Sequence, residues 1–130
     1  MINTTLRRML AVAGLAMLGA SPALAADDEI RCNPNGNQLE MNACAEQDFR
    51  ASDQKLNERY KSLMASLPAA GQTALRTEQR AWLKRRDPTC KKRIQGLGSM
   101  APMEFSACQQ ELTDKRVKQL EAKASVANAK

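Results

Sequence analysis

Between positions 38 and 67 the chain repeats apolar bodies at three- and four-residue steps: Met41, Ala45, Phe49, Leu56, Tyr60, Leu63 and Leu67, with Ser52 the one polar member of the series. That spacing lays a single stripe along a 3.6-residue period and leaves Glu46, Arg50, Lys55 and Glu58 for the opposite face, so it predicts a long amphipathic helix. Pro68 and Gly71 mark its expected end. A second helix is predicted over about 72–87, where Leu75, Gln79, Trp82 and Arg86 share a face with Ala81 and Leu83 alongside. Pro88 is expected to stop it, because the residue before a proline is pushed out of helical geometry. Residues 89–101, with Gly96 and Gly98, read as a loop holding a short turn. Pro102 suits the first turn of a third helix, where its missing N–H costs nothing. Phe105, Cys108, Leu112 and Arg116 form the expected inner stripe of that helix, flanked by Val117 and Leu120, and the small, polar tail 122–130 is expected to fray. No stretch alternates with the period of a half-buried strand. The predicted fold class is therefore all-α, a small bundle of three antiparallel helices.

Upstream of the helices the pattern changes kind. A short polar opening ends in Arg7 and Arg8, an uncharged apolar run follows over 9–20, and Ser21-Pro22-Ala23-Leu24-Ala25 presents Ala23 and Ala25 as an A-x-A site. This is the three-part layout of a cleaved signal peptide, and the run is too short to span a bilayer. Residues 1–25 are therefore assigned as the signal peptide and 26–130 as one helical domain with an ordered core of about 32–120. The expected destination is the periplasm or the external medium, with no transmembrane segment in the mature chain. The first cysteine, Cys32, stands behind Asp27-Asp28-Glu29 instead of at the cleavage site, so no lipid anchor is expected.

All four cysteines, Cys32, Cys44, Cys90 and Cys108, follow the leader, and an even count in a small exported domain reads as two disulfides. There is no C-x-x-C pair and no histidine, so neither a metal site nor a cofactor is expected. Four cysteines allow three pairings. The expected one is Cys32–Cys44 with Cys90–Cys108, because each pair is close in sequence and spans a turn or loop, at 31–37 and 94–101. With aromatic rings only at Phe49, Tyr60, Trp82 and Phe105, the core rests on Leu, Met and Ala, and so thin a core is the usual setting for such staples.

Charge adds a candidate surface. The chain carries 20 Lys and Arg against 14 Asp and Glu, a net +6 that falls to +4 once Arg7 and Arg8 leave with the leader. So mild an excess does not suggest a nucleic-acid partner. The densest stretch is 84–93, where Lys84, Arg85, Arg86, Lys91, Lys92 and Arg93 stand against Asp87 alone. It suits an acidic protein surface or an anionic polymer. Cations there also complement a helix C-terminus, at about 0.3–1 kcal/mol each. Catalysis finds little to work with: without histidine there is no Ser-His or Cys-His pair, and no glycine loop cradles phosphate. Asp27-Asp28-Glu29, Asp48 and Asp53 read as solvated charge or packing partners. No catalytic residue is assigned, and the chain is expected not to be an enzyme.

Four stretches resemble the LprI-type lysozyme inhibitor domain: Met41-Asn42-x-Cys44-Ala45; Asp53-x-x-Leu56-Asn57-x-x-Tyr60; Gln79-Arg80-Ala81-Trp82-Leu83-x-x-Arg86-Asp87-x-x-Cys90; and Cys108-x-x-x-Leu112-Thr113-x-x-Arg116-x-x-x-Leu120. A glycine-containing stretch at 96–99 lies between the last two, and the likeness covers about 32–120. It implies a small, exported, cysteine-bearing helical domain that binds a protein partner, lysozyme or another cell-wall hydrolase, without chemistry of its own. The alternative is an adaptor or binder of anionic cell-envelope polymers through 84–93. Asp53, Asn57, Gln79, Arg86, Asp87, Thr113 and Arg116 fall on or beside the apolar stripes. They read as a structural polar network, Arg86 or Arg116 against Asp53 or Asp87, since an unsatisfied buried polar group costs about 1–3 kcal/mol. Partner contacts are placed on Lys84, Arg85, Lys91, Lys92, Arg93 and Ser99, or on the loops 33–37 and 94–101.

Overall fold

In the computed structural model, which describes residues 30–129, Asn37 opens the first helix. Its side chain accepts from the backbone N–H groups of Leu39 and Glu40, at 2.9 and 3.1 Å, while Glu40 reaches back to accept from the Asn37 N–H at 2.8 Å. This capping box satisfies donors that the first turn leaves without partners. The signal peptide assigned to 1–25 lies outside the described residues. From Asn37 the chain builds α1 (Gln38–Ser66), α2 (Ala69–Arg93), a single 3-10 turn (Gly98–Met100) and α3 (Ala101–Asn128). Among the described residues there is no strand.

The helices run up, down and up, each about 40 Å long at 1.5 Å per residue. The Gln38 amide of α1 reaches Met103 near the start of α3, and Arg59 pairs with Glu121 farther along, so α1 and α3 are parallel. Cys90 late in α2 bridges to Cys108 early in α3, and Glu78 pairs with Lys123, so α2 runs opposite to both. α1 and α3 approach most closely, whereas α1 and α2 share few contacts.

The two ends of the bundle are held by different means. Toward the α1–α2 corner lies the apolar core of Leu56, Leu63, Leu75, Val117 and Leu120, with Tyr60, Met64 and Trp82 packed against it. Five buried side chains at about 1.5–3 kcal/mol each make a small core for three long helices. Toward the other end stand the disulfides: Cys90–Cys108, which is buried, and Cys32–Cys44, whose Cys32 is exposed.

Three boundaries and one buried stripe differ from the sequence reading. α2 begins at Ala69, only two residues after α1, and Gly71 lies inside its first turn. A Cβ at Gly71 would come 3.3 Å from that of Leu67, so this glycine lets the corner close instead of ending a helix. Pro88 does not stop α2, which continues to Arg93. The Lys84 carbonyl that Pro88 deprives of a donor lies on an exposed face open to water, the Thr89 hydroxyl donates to the Arg85 carbonyl at 2.7 Å, and Cys90–Cys108 fastens the turn beyond. The tail does not fray at 122 but stays helical to Asn128, because Ala124 packs on the core and Lys123 pairs with Glu78. On α3, Phe105 and Leu112 are half-buried, while Ser106, Gln109 and Thr113 stand inside. α3 contacts both other helices, so its buried arc is wide and turned toward these polar residues.

Candidate functional site

Two arginines organise the middle of the bundle. Arg86 of α2 donates through Nη1 to Asp53 of α1 at 2.9 Å and through Nε to Asp87 at 2.9 Å, with the Thr113 hydroxyl of α3 at 3.5 Å. Its guanidinium lies 5.0 Å from the Phe49 ring centre and 5.4 Å from that of Trp82, within cation–π range. The Gln109 amide donates to Asp87 at 2.9 Å, so one guanidinium and its partners tie three helices together. Arg116, 3% exposed, donates through Nε to Gln79 at 2.9 Å and through Nη1 to Glu78 at 2.8 Å and Gln119 at 3.1 Å, and its Nη2 finds no partner. Both arginines approach the Trp82 ring, with Arg116 6.0 Å from its centre.

The charges respond to these contacts. Burial alone would raise the Asp87 carboxyl, but hydrogen bonds from Arg86 and Gln109 outweigh it and hold the group below its ordinary value. The Arg116 hydrogen bond pulls Glu78 down against burial, and Lys123 adds to the effect. Asn57 stands apart, exposed, its amide donating to Asp53 at 3.4 Å. Sequence reasoning missed Gln109, Glu78 and Lys123 in this layer. A signal for the first existed: Gln109, Thr113, Arg116 and Leu120 recur at steps of four, three and four, a stripe as regular as the one chosen.

Of the remaining sequence-assigned residues, Lys84 and Arg85 lie about two turns back along α2, beside Arg86, and Lys91, Lys92, Arg93 and Ser99 lie at one pole. Segment 31–37, bound to α1 by Cys32–Cys44, lies there with the end of α2 and the 94–100 loop, whose 3-10 turn packs on both α1 and α3. Gly96 and Gly98 take φ of 82° and 56° in that loop, left-handed conformations that glycine adopts without strain. Lys84, Arg85, Lys91 and Lys92 are exposed on one outward face of α2, and none forms an ion pair among the described residues. Arg93 is partly spent, paired with Glu111 at 2.9 Å. Glu111 is held low first by its Lys115 hydrogen bond and then by Arg93. Ser99 is exposed in the 3-10 turn, beside Leu97 and Met100, which are 39% and 45% exposed.

This pole offers cations, a hydroxyl and an apolar loop tip on a cross-linked frame, which is the make-up of a contact surface. Among the described residues no three potential metal ligands come together, and no helix is long and apolar enough to cross a membrane.

The model of the protein family described as "Lysozyme inhibitor LprI" matches residues 31–120. A protein of Rhizobium meliloti (strain 1021), itself named as uncharacterized, is 35% identical over 123 residues, covering 82% of this chain and 87% of its own. No solved structure matches the chain.

Proposed function

The chain belongs to the LprI lysozyme-inhibitor family, and from that premise we propose that it is an exported, non-enzymatic protein that binds a lysozyme and blocks its cleft. The observation that supports this reading is the row of exposed cations Arg85, Lys91 and Lys92 along α2, unpaired among the described residues, which leads toward the loop bearing Ser99 at the disulfide-bridged pole. Glycoside hydrolysis depends on two carboxyl groups in an open cleft, and a rigid cationic projection is complementary to them. Rigidity helps, because little ordering entropy is then lost on binding. The Arg86 and Arg116 layer, with its partners on neighbouring helices, is given the structural role of holding that pole on its rod.

A cell-wall lysis assay tests the proposal at low and high salt, with wild type against the triple variant Arg85→Ala, Lys91→Ala, Lys92→Ala. Stoichiometric, reversible inhibition is expected, weaker at high salt, with the triple variant about tenfold less potent. Failure to inhibit lysozymes of either acidic or basic cleft rim, at excess protein, overturns it. The four cations without an ion pair among the described residues, Lys84, Arg85, Lys91 and Lys92, also support a second reading, an adaptor for anionic envelope polymers. Binding of such a polymer whose affinity falls steeply with salt, without lysozyme inhibition, favours that reading. Removal of the assigned signal peptide is expected on export, so the intact mass of the secreted protein should correspond to a chain starting at Ala26 or one residue later, without an acyl group.

A further inference from the structure

The two motifs carried by α1 and α2 meet at a place the cationic pole does not use. Between these sparsely contacting helices runs a groove of about 430 Å³ with nine lining residues. Asp53, Leu56, Asn57 and Tyr60 come from the α1 motif. Gln79, Arg80, Leu83 and Arg86 come from the α2 motif, and Arg76 completes the wall.

Packing accounts for only half of them. Leu56 is core, Gln79 is bonded to Arg116, and Asp53 and Arg86 neutralise each other. Asn57, Arg80 and Arg76 are exposed, and Leu83 is 43% exposed, a large apolar side chain offered to water. Arg76 and Arg80 stand one helical turn apart, and neither pairs with a carboxylate among the described residues. The groove therefore presents two uncompensated guanidinium forks beside an apolar strip of Leu83 and Tyr60.

Those features select an occupant. Guanidinium forks match carboxylates bidentately. Of the two strip side chains Leu83 is the more exposed, and Trp82, the ring best suited to stacking on a sugar, is already engaged by Arg86 and Arg116. A leucine beside two arginines fits an apolar side chain flanked by acids better than a hydroxylated sugar ring. We propose that the α1–α2 groove is a second binding site, which takes an extended acidic peptide segment of a partner protein. Arg76 and Arg80 hold its carboxylates, Asn57 bonds its backbone, and Leu83 with Tyr60 receives the apolar side chain between them. The site shares α2 with the cationic surface but uses none of Lys84, Arg85, Lys91 or Lys92, and it does not depend on lysozyme being the partner.

The test is a titration of the exported, oxidised, 15N-labelled protein with acetyl-Ala-Glu-Leu-Glu-Leu-Ala-amide, its glutamine counterpart and polygalacturonate. The acidic peptide is expected to shift the amide signals of Asn57, Tyr60, Arg80 and Leu83, and the glutamine peptide to bind about tenfold more weakly. Arg76→Glu with Arg80→Glu should abolish the shifts, and a peptide with lysine in place of glutamate should restore them on that variant. Both arginines are exposed, so the fold is expected to survive; should circular dichroism show otherwise, Arg76→Gln with Arg80→Gln replaces the pair. The proposal is overturned by an absence of shifts at millimolar peptide, by shifts centred on Lys91 and Lys92, or by polygalacturonate moving the groove signals as the peptide does.

Discussion

The Arg86 guanidinium lies 2.9 Å from the Asp53 carboxylate and thereby joins α2 to α1, two helices that share few other contacts. Asp53 and Asp87 remain about 36% and 44% exposed, so both carboxylates rehydrate when the arginine is removed. Arg86→Ala should therefore cost about 2 kcal/mol, less than the 3–5 kcal/mol typical of breaking a fully buried pair. Arg86→Lys should recover under half of that, because an ammonium cannot fork between two carboxylates. Thermal melts of the three proteins decide the matter, and an unchanged midpoint in Arg86→Ala would sink the claim.

The disulfides should prove unequal. Their sequence separations of 12 and 18 give similar chain-entropy terms, about 3 kcal/mol each. Cys90 and Cys108 are 0% and 6% exposed, whereas Cys32 is open to solvent. Replacing Cys90 and Cys108 with Ala should cost more, since it also empties packed volume. Under limiting reductant Cys32–Cys44 should open first, a sequence of events that timed alkylation and mass spectrometry can follow.

Acid should weaken the protein through Glu78 and Asp87. Both carboxyls are more acidic folded than unfolded, so protonation favours the unfolded chain. Their contribution is complete above the ordinary values of 4.5 and 3.8 and is lost as pH falls through the lower folded values. Urea midpoints should drop between pH 6 and pH 3, and drop less in Glu78→Gln. A midpoint that rises in acid contradicts this.

Pro88→Ala should stabilise the protein. The substitution returns a donor to the Lys84 carbonyl within an α2 that is already helical on both sides. Straight-helix propensity alone sets the gain near 3 kcal/mol, but alanine also frees the unfolded chain, so about 1 kcal/mol is expected. Equilibrium unfolding in urea measures it.

Three helices and two disulfides were legible because periodicity and cysteine count act locally. The Pro88 boundary was not, because its cost is offset by the bridge from Cys90 to Cys108, eighteen residues farther along the chain. The α3 stripe was displaced for a related reason. Gln109 and Thr113 are inside because Asp87 and Arg86 on another helix bond them, and a hydropathy pattern counts such residues as outside. The groove escaped notice because its residues lie on two helices whose mutual rotation no single-helix period reveals.

The protein has one tryptophan, and the guanidinium groups of Arg86 and Arg116 lie 5.4 and 6.0 Å from its ring centre. Indole emission is sensitive to neighbouring cations, so Trp82 is a built-in optical gauge of the layer between the core and the bridged pole. Fluorescence reads the spacing of those guanidinium groups, while far-ultraviolet circular dichroism reads the helices. A denaturant series in which emission moves before ellipticity would mean that the arginine layer loosens as a unit of its own, with the three rods still wound.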